Sequence, residues 1–279
     1  MNRFYILGGS GRLGKALVDE FSKEDIITIG RDFYQDWSNL GGEDKVFQYF
    51  DNLQNESAII LIASGLLDPT LSREDIFRVN FLLPKNVIQG VKQLKIKVIT
   101  FGSVMENLMP SKNYYFESKS CLSEYVSNLA SDNKDILHIQ LHTLYGGGIP
   151  APFMFLGQIL SALQRNDVFE MTSGKQLREY HHVLDEVKAI RKLLDINGYG
   201  TVNISHGNPI TLKNIASSIF DSFGRRELLH IGALPEPEEE NFNQTFKLSE
   251  FILQSNFRDS LPAIVEYMHQ SNNLHNQRG

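Results

Sequence analysis

Ser103, Tyr115 and Lys119 are the residues of this chain whose types and spacing can do chemistry. Tyr115 and Lys119 stand four residues apart, which puts both side chains on one face of a helix. An ammonium held there lowers a phenol's pKa from its free value of about 10. The phenol can then protonate a carbonyl oxygen or take a proton from an alcohol. Ser103 stands just beyond the apolar run 97–101 and can hydrogen-bond the same oxygen. Among the tyrosines only Tyr115 has a lysine at that offset; its neighbour Tyr114 points about 100° away on a helix. A Ser, a Tyr and a Lys of this kind reduce a ketone or oxidise an alcohol only beside a hydride carrier, so the elements around them must hold one.

The first fourteen residues offer such a place. An apolar run at 4–7 breaks into Gly8-Gly9-Ser10-Gly11-Arg12-Leu13-Gly14, and then comes a stretch with helical apolar spacing. In a strand-to-helix turn Gly8 permits the tight bend, Gly11 lets the backbone approach a pyrophosphate, and Gly14 lets helix and strand pack closely. The first helical N–H groups, from Arg12 and Leu13 onward, then face the anion. The spacing is G-x-x-G-x-x-G, which an ordinary βα turn can also carry. A second apolar run, 26–29, ends at Gly30-Arg31-Asp32. An Arg there suits the 2′-phosphate of NADP, and an acidic residue suits the free hydroxyl of NAD. Arg31, with Arg12 as a second positive charge, favours NADP(H); Asp32 keeps NAD(H) as the competitor.

Composition sets the outer bounds. The chain has 279 residues, enough for one large domain or two closely joined ones. With a net charge of −6 and no basic run, nucleic acid is not an expected partner. Cys121 is the only cysteine, so disulfides and Cys-based zinc sites are excluded. His181 and His182 are consecutive and would face opposite sides of a strand, so no metal is expected from them. No apolar run reaches membrane-spanning length and no signal-peptide pattern opens the chain, so the expected location is the cytoplasm. The acidic cluster Glu236-Pro237-Glu238-Glu239-Glu240 reads as a solvated loop.

Strand-like runs at 4–7, 26–29, 59–63, 97–101 and 136–141 alternate with helix-like runs, among them 73–91 and 111–131. Near-continuous apolar strands alternating with helices predict an α/β, Rossmann-type, doubly wound parallel sheet covered on both faces. In such sheets ligands lie beyond the carboxyl ends of the strands, where Gly8, Gly30, Ser64 and Ser103 all fall. The breaker cluster at 146–152 changes the rhythm. Residues 1–145 are thus expected to form a dinucleotide-binding domain, with 180–204 returning to it. Residues 146–279 are expected to be mainly a smaller, mixed α/β substrate cap. Helix-like runs there cover 153–163, 185–195 and 212–223, and the polar tail 272–279 is expected to fray.

These features resemble the extended short-chain dehydrogenase/reductases, the NAD-dependent epimerase/dehydratase family, over nearly the whole chain. Beyond the glycine loop, Ser103 and the Tyr115/Lys119 pair, Ala63-Ser64-Gly65 is similar to the family's loop past the nicotinamide. Asn80 is similar to a helix Asn of its scaffold, and Leu144-Tyr145-Gly146 to its strand-to-cap junction. The run 174–183 resembles its signature segment, Asp185 the Asp opening the next helix, and 201–205 the strand leading to the final region. The resemblance implies a nucleotide-sugar substrate contacted by Ser103, Met105, Tyr145, Gln176 and Arg178, with Arg178 on its phosphates. A guanidinium fork suits that task, although a surface salt bridge would use it equally. The resemblance also implies a homodimer packed through the helices near 73–91 and 111–131.

The residues just after Ser103 narrow the reaction. Family dehydratases place acidic residues directly after the catalytic Ser or Thr, whereas here Val104 and Met105 intervene before Glu106. The compact 103–115 segment and the Thr172-Ser173-Gly174-x-Gln176-x-Arg178 run are most similar to reductases of nucleotide-linked 4-keto-6-deoxyhexoses, such as those that make paratose or abequose. Three alternatives stay open: 4-epimerisation with recycled cofactor, reduction of a non-nucleotide ketone, and a non-catalytic dinucleotide sensor. The acidic 236–240 loop stands where many relatives carry a second phosphate-binding Arg, for which Arg225 or Arg226 could substitute.

Overall fold

The computed structural model describes residues 3–53, 58–109, 113–130, 134–253 and 256–276. The chain forms two compact units, Met1–Leu141 with Ile190–Ile204, and His142–Ala189 with Ser205–Gly279.

In the first unit the apolar runs become strands β1 (Arg3–Leu7), β2 (Asp25–Ile29), β3 (Ala58–Ile62), β4 (Lys97–Ser103) and β5 (Ile136–Leu141). A sixth strand, Gly200–Asn203, pairs with β5, and the sheet order is Gly200–Asn203, β5, β4, β3, β1, β2, with every pairing parallel. This is the expected doubly wound α/β sheet. β3 and β5 are buried along their whole length, as strands covered on both faces must be, whereas the edge strand β2 is only partly buried. The chain leaves β1 toward β2 on one side and reaches β3 on the other, so the topological switch point lies between β1 and β3. Helix α1 (Arg12–Glu20) comes after β1 and buries Gly14, Ala16 and Leu17.

The expected helix over 73–91 forms in three parts. These are α2 (Arg73–Phe77), a π-helical turn Arg78–Leu82, and α3 (Leu83–Val91). Pro84 explains the break: it has no N–H to give to the carbonyl of Asn80, and the wider turn accommodates that loss. The expected helix over 111–131 is α4 (Tyr114–Ala130). Asn113 caps it, accepting from the Phe116 N–H at 3.0 Å, while Ser111 and Ser131 lie outside the described residues.

In the second unit three helices, Phe155–Arg165, Leu212–Ser222 and Ser260–Asn276, close on an apolar core that includes Leu160, Phe169, Ile219 and Met268. Short two-stranded pairings complete it, Thr143–Tyr145 with Tyr180–His182 among them. The tail differs from expectation: residues 272–276 continue the last helix, and 277–279 lie outside the described residues.

Candidate functional site

The turn after β1 is built around backbone that must come close. Gly8 has φ +81°, and a Cβ on it would meet the Ser64 nitrogen at 2.6 Å, so the turns after β1 and β3 touch at the switch point. A Cβ on Gly14 would strike the Gly8 carbonyl, which is why α1 can pack against that turn. Gly11 is exposed and is the N-cap of α1, with no side chain capping the first N–H groups. An uncapped helix start behind a bare glycine fits a pyrophosphate, so these residues suit the dinucleotide predicted from sequence. Arg12 and Leu13 are half-buried at the start of α1. Beyond β2, Gly30 caps a short turn in which Arg31 is the first residue, exposed, with Asp32 beside it. From the same turn the buried Tyr34 accepts a hydrogen bond at its hydroxyl from Ser64 Oγ (2.9 Å), tying the ends of β2 and β3 together. Asn80, in the π-helical turn, pairs with both backbone groups of Leu66: its Oδ1 accepts from the N–H (2.8 Å) and its Nδ2 donates to the carbonyl (2.9 Å). Ala63-Ser64-Gly65 is thereby fixed from three sides.

Lys119 reaches this same loop. Its ammonium lies 4.0 Å from where a Gly65 Cβ would stand and 5.9 Å from the Tyr115 ring centroid, and it donates to the Phe101 carbonyl at 2.6 Å. Burial lowers its pKa to about 8, against the pull of Glu106. Ser103, at the end of β4, is buried; its Oγ accepts from the Met105 N–H (3.2 Å). Its own N–H donates to Glu106 Oε2 (2.9 Å), so Ser103 and Glu106 form a capping box around the turn Val104–Glu106. The phenol departs from the sequence-based expectation. Burial and the negative charge of Glu106 push the Tyr115 pKa up, not down. Tyr115 is therefore held as a neutral phenol.

Glu106 is the centre of a network beneath Ser103. It is fully buried, and its Oε1 receives Gln140 Nε2 (2.8 Å) and lies 3.2 Å from His138 Nε2. His138 Nδ1 is 2.7 Å from Thr100 Oγ1. Burial raises the carboxyl's pKa, but His138, the Ser103 N–H and Gln140 outweigh it and hold the group below its ordinary value. Gly102 makes room for this, since a Cβ there would strike both His138 and Glu106.

The remaining sequence-predicted residues belong to the second unit. Tyr145 is 1% exposed and packs against His182, Tyr180 and Tyr267, which places it in that unit's core. Gln176 is buried and donates to Thr172 Oγ1 (3.0 Å), closing the turn between them. Arg178 Nη1 donates to the Leu177 carbonyl (2.8 Å) and Nη2 to Glu240 Oε1 (2.6 Å). The acidic cluster is thus not simply a solvated loop: Glu240 is largely buried, and Glu236 accepts from the Ser173 N–H (2.9 Å). Arg225 and Arg226 are exposed and paired with Glu227 and Asp221. Asp185 binds Arg258 through both its oxygens, at 2.7 and 2.9 Å.

His181 and His182 have separate neighbours, but His181 joins a cluster the sequence does not announce. Ligand-type atoms of the buried His142, Glu179 and His181 lie within 4.8 Å of one another. His181 Nδ1 is 2.6 Å from Glu186 Oε2 and its Nε2 is 3.2 Å from Glu179 Oε2. Glu179 also receives Ser205 Oγ and the His206 N–H. Burial would lower the His181 pKa, but the two carboxylates raise it to about 9. A carboxylate at each nitrogen makes His181 a buried imidazolium, and the cluster an ion network.

Residues 4–205 match the profile of the NAD dependent epimerase/dehydratase family. The chain belongs to that family. No curated protein matches it in sequence. Among solved structures it is similar to the UDP-N-acetylglucosamine 4-epimerase of Methanobrevibacter ruminantium M1 in complex with UDP-N-acetylmuramic acid, at 14% identity, covering 99% of each chain with a TM-score of 0.75. It is likewise similar to the dTDP-4-dehydrorhamnose reductase of Bacillus anthracis str. Ames in complex with NADP, at 18% identity, covering 97% of this chain and 100% of that one with a TM-score of 0.73. A third is the UDP-glucose 4-epimerase of Thermus thermophilus in complex with NAD, at 14% identity, covering 96% and 98% with a TM-score of 0.73. At these identities the likeness carries the fold.

For this member of the family, the sequence reading gives no site role to Tyr34, Glu106, His138 or Glu240. Glu106 had a legible signal, because Ser103-x-x-Glu106 is a capping-box pattern. The other three come into place through contacts between distant segments, for which no local pattern exists.

Proposed function

We propose that this chain is an NADP(H)-dependent oxidoreductase that reduces the ketone of a nucleotide-linked 4-keto-6-deoxyhexose at C4. The first unit would bind the dinucleotide and the second would act as the substrate cap. NADPH supplies the hydride. Gly8, Gly11 and Gly14 would leave room for the pyrophosphate, and the N–H groups of Arg12 and Leu13 would bind it. Arg31, exposed beyond β2, offers its guanidinium to the 2′-phosphate, with Arg12 adding charge. Lys119 lies beside the Ala63-Ser64-Gly65 loop and near the Tyr115 ring, where it would hold the cofactor's ribose. Ser103 orients the ketone, its Oγ being fixed by the Met105 N–H. With a nicotinamide bound, Tyr115 would give its proton to O4 as C4 is reduced, and Met105 and Arg178 would contact the substrate, Arg178 at a phosphate.

The observation that carries this reading is Ser103 at the end of β4, with Lys119 beside both the Gly65 loop and the Tyr115 ring. Tyr115 is held neutral by burial and by Glu106. A neutral phenol is ready to donate a proton to a ketone. The test monitors absorbance of NADPH with CDP-, dTDP-, GDP- and UDP-linked 4-keto-6-deoxysugars. One of them should be consumed with NADPH, and Tyr115→Phe should slow that turnover by about 10²–10⁴-fold. Wild-type turnover in Tyr115→Phe would reject the mechanism. Sugar interconversion without net NADPH loss would make the chain an epimerase.

A further inference from the structure

Arg178, the residue proposed for a substrate phosphate, already holds an anion from its own chain. Glu240 Oε1 sits 2.6 Å from Nη2, and side-chain exposure is 17% for Arg178 and 9% for Glu240. The loop carrying Glu240 is fastened along Leu177–Arg178: the Leu177 N–H donates to the Asn241 carbonyl (2.8 Å), and the Asn241 N–H donates to Glu240 Oε1 (2.9 Å). Four residues earlier, Glu236 takes the Ser173 N–H. Two carboxylates of one loop therefore occupy two donors that an anionic ligand could use. The guanidinium is also split, with Nη1 turned to the Leu177 carbonyl instead of both amino groups facing one carboxylate. A phosphate offers the fork the paired acceptors that this arrangement lacks.

We propose that Glu240 is a specificity-determining residue, a resident carboxylate that a substrate phosphate must displace from Arg178. The inference rests on the reading of Arg178 as a phosphate contact. A ligand without phosphate cannot take Glu240's place without leaving the largely buried guanidinium unpaired, so the pair selects for phosphate by penalising its absence. Glu238 and Glu239 next to it are exposed, so the displaced carboxylate has a path to water.

The experiment is calorimetric titration of the full chain with CDP, dTDP, GDP and UDP, each separately, in wild type, Glu240→Gln and Arg178→Ala, with thermal melts confirming that each variant folds. Gln keeps an oxygen for Arg178 and for the Asn241 N–H but removes the competing charge. Glu240→Gln should bind the accepted nucleoside diphosphate about tenfold tighter, equivalent to about 1.4 kcal/mol. The matching nucleoside should gain nothing, and Arg178→Ala should bind the diphosphate more weakly than wild type. Unchanged or weaker binding in Glu240→Gln, with a loss in Arg178→Ala, would overturn the role of Glu240 and leave that of Arg178 standing. An equal gain for the nucleoside would overturn it too, because loop opening and not charge would then be responsible. Unchanged binding in Arg178→Ala, or no binding of any nucleoside diphosphate to wild type or Glu240→Gln, would overturn both readings.

Discussion

Lys119 is the proposed catalytic group that titrates nearest neutrality, because a buried ammonium with one backbone acceptor is poorly compensated. Its pKa of about 8 has a kinetic consequence. The ammonium is present below that value and lost above it, so kcat/KM for reduction should fall as pH rises through about 8. Lys119→Arg, which stays charged, should remove that alkaline limb even if its rate is lower. A wild-type profile flat to about pH 10 would contradict the assignment. At the same scale Arg31 separates the two cofactors. It is exposed, so Arg31→Ala leaves the fold intact, and NADPH affinity should drop about tenfold while NADH affinity stays put. Equal losses for both would remove the 2′-phosphate role. The spacing of Ser103, Tyr115 and Lys119 was readable because it lies within one strand end and one helix. The sign of the Tyr115 shift was not, because it depends on Glu106 beneath Ser103 and on burial that only the packed chain creates.

The π-helical turn is the element whose irregularity has an evident task. Asn80 is buried within it and holds both backbone groups of Leu66, so the helix that packs under the sheet also fixes the loop after β3. Asn80→Ala would leave a half-buried N–H and C=O of Leu66 unpaired at about 1–3 kcal/mol each. Urea unfolding should show a loss of about 3 kcal/mol, and NADPH titration a weaker complex, because Ala63-Ser64-Gly65 loses its fastening. A stability loss with unchanged cofactor affinity would confine Asn80 to the scaffold. Strands β1 to β5 and helices α1 and α4 were legible from apolar periodicity, since the strands are short apolar runs, whereas the helix Gly42–Phe50 and the strand Gly200–Asn203, which is not an apolar run, were not. The break at Pro84 was present in the sequence as well, yet the turn before it depends on the hydrogen bonds Asn80 makes to Leu66. The polar run 272–276 does not fray, because it continues a helix whose earlier residues, such as Ile264 and Met268, are anchored in a core.

At the scale of the whole molecule, two separate cores form, and the second contains a charge cluster that polarity alone would place at the surface. His142, Glu179, His181, Glu186 and His206 are spread over more than sixty positions and share no motif, so nothing in the sequence gathers them. Their coupling makes global stability depend on pH. His181 has a folded pKa of about 9 against 6.5 when exposed, so its contribution is full below about pH 6.5 and is lost as pH rises through 9. Glu179 works from the other side: its folded pKa of about 2 means that its contribution is present above about 4.5 and disappears as pH falls toward 2. Lys119, whose folded pKa is lowered, favours folding as pH rises above 8, and His182 and His206, which burial lowers, favour it as pH rises through about 6.5, so they partly offset the His181 effect. Between about pH 6.5 and 8 the unfolding free energy should fall by up to about 2 kcal/mol, measured by urea titration at fixed ionic strength. His181→Gln should remove that slope and, by leaving Glu179 and Glu186 facing each other without a cation, lower stability at about pH 6.5 by about 3–5 kcal/mol. A wild-type stability that is level or rising over that interval would mean His181 is neutral in the folded chain.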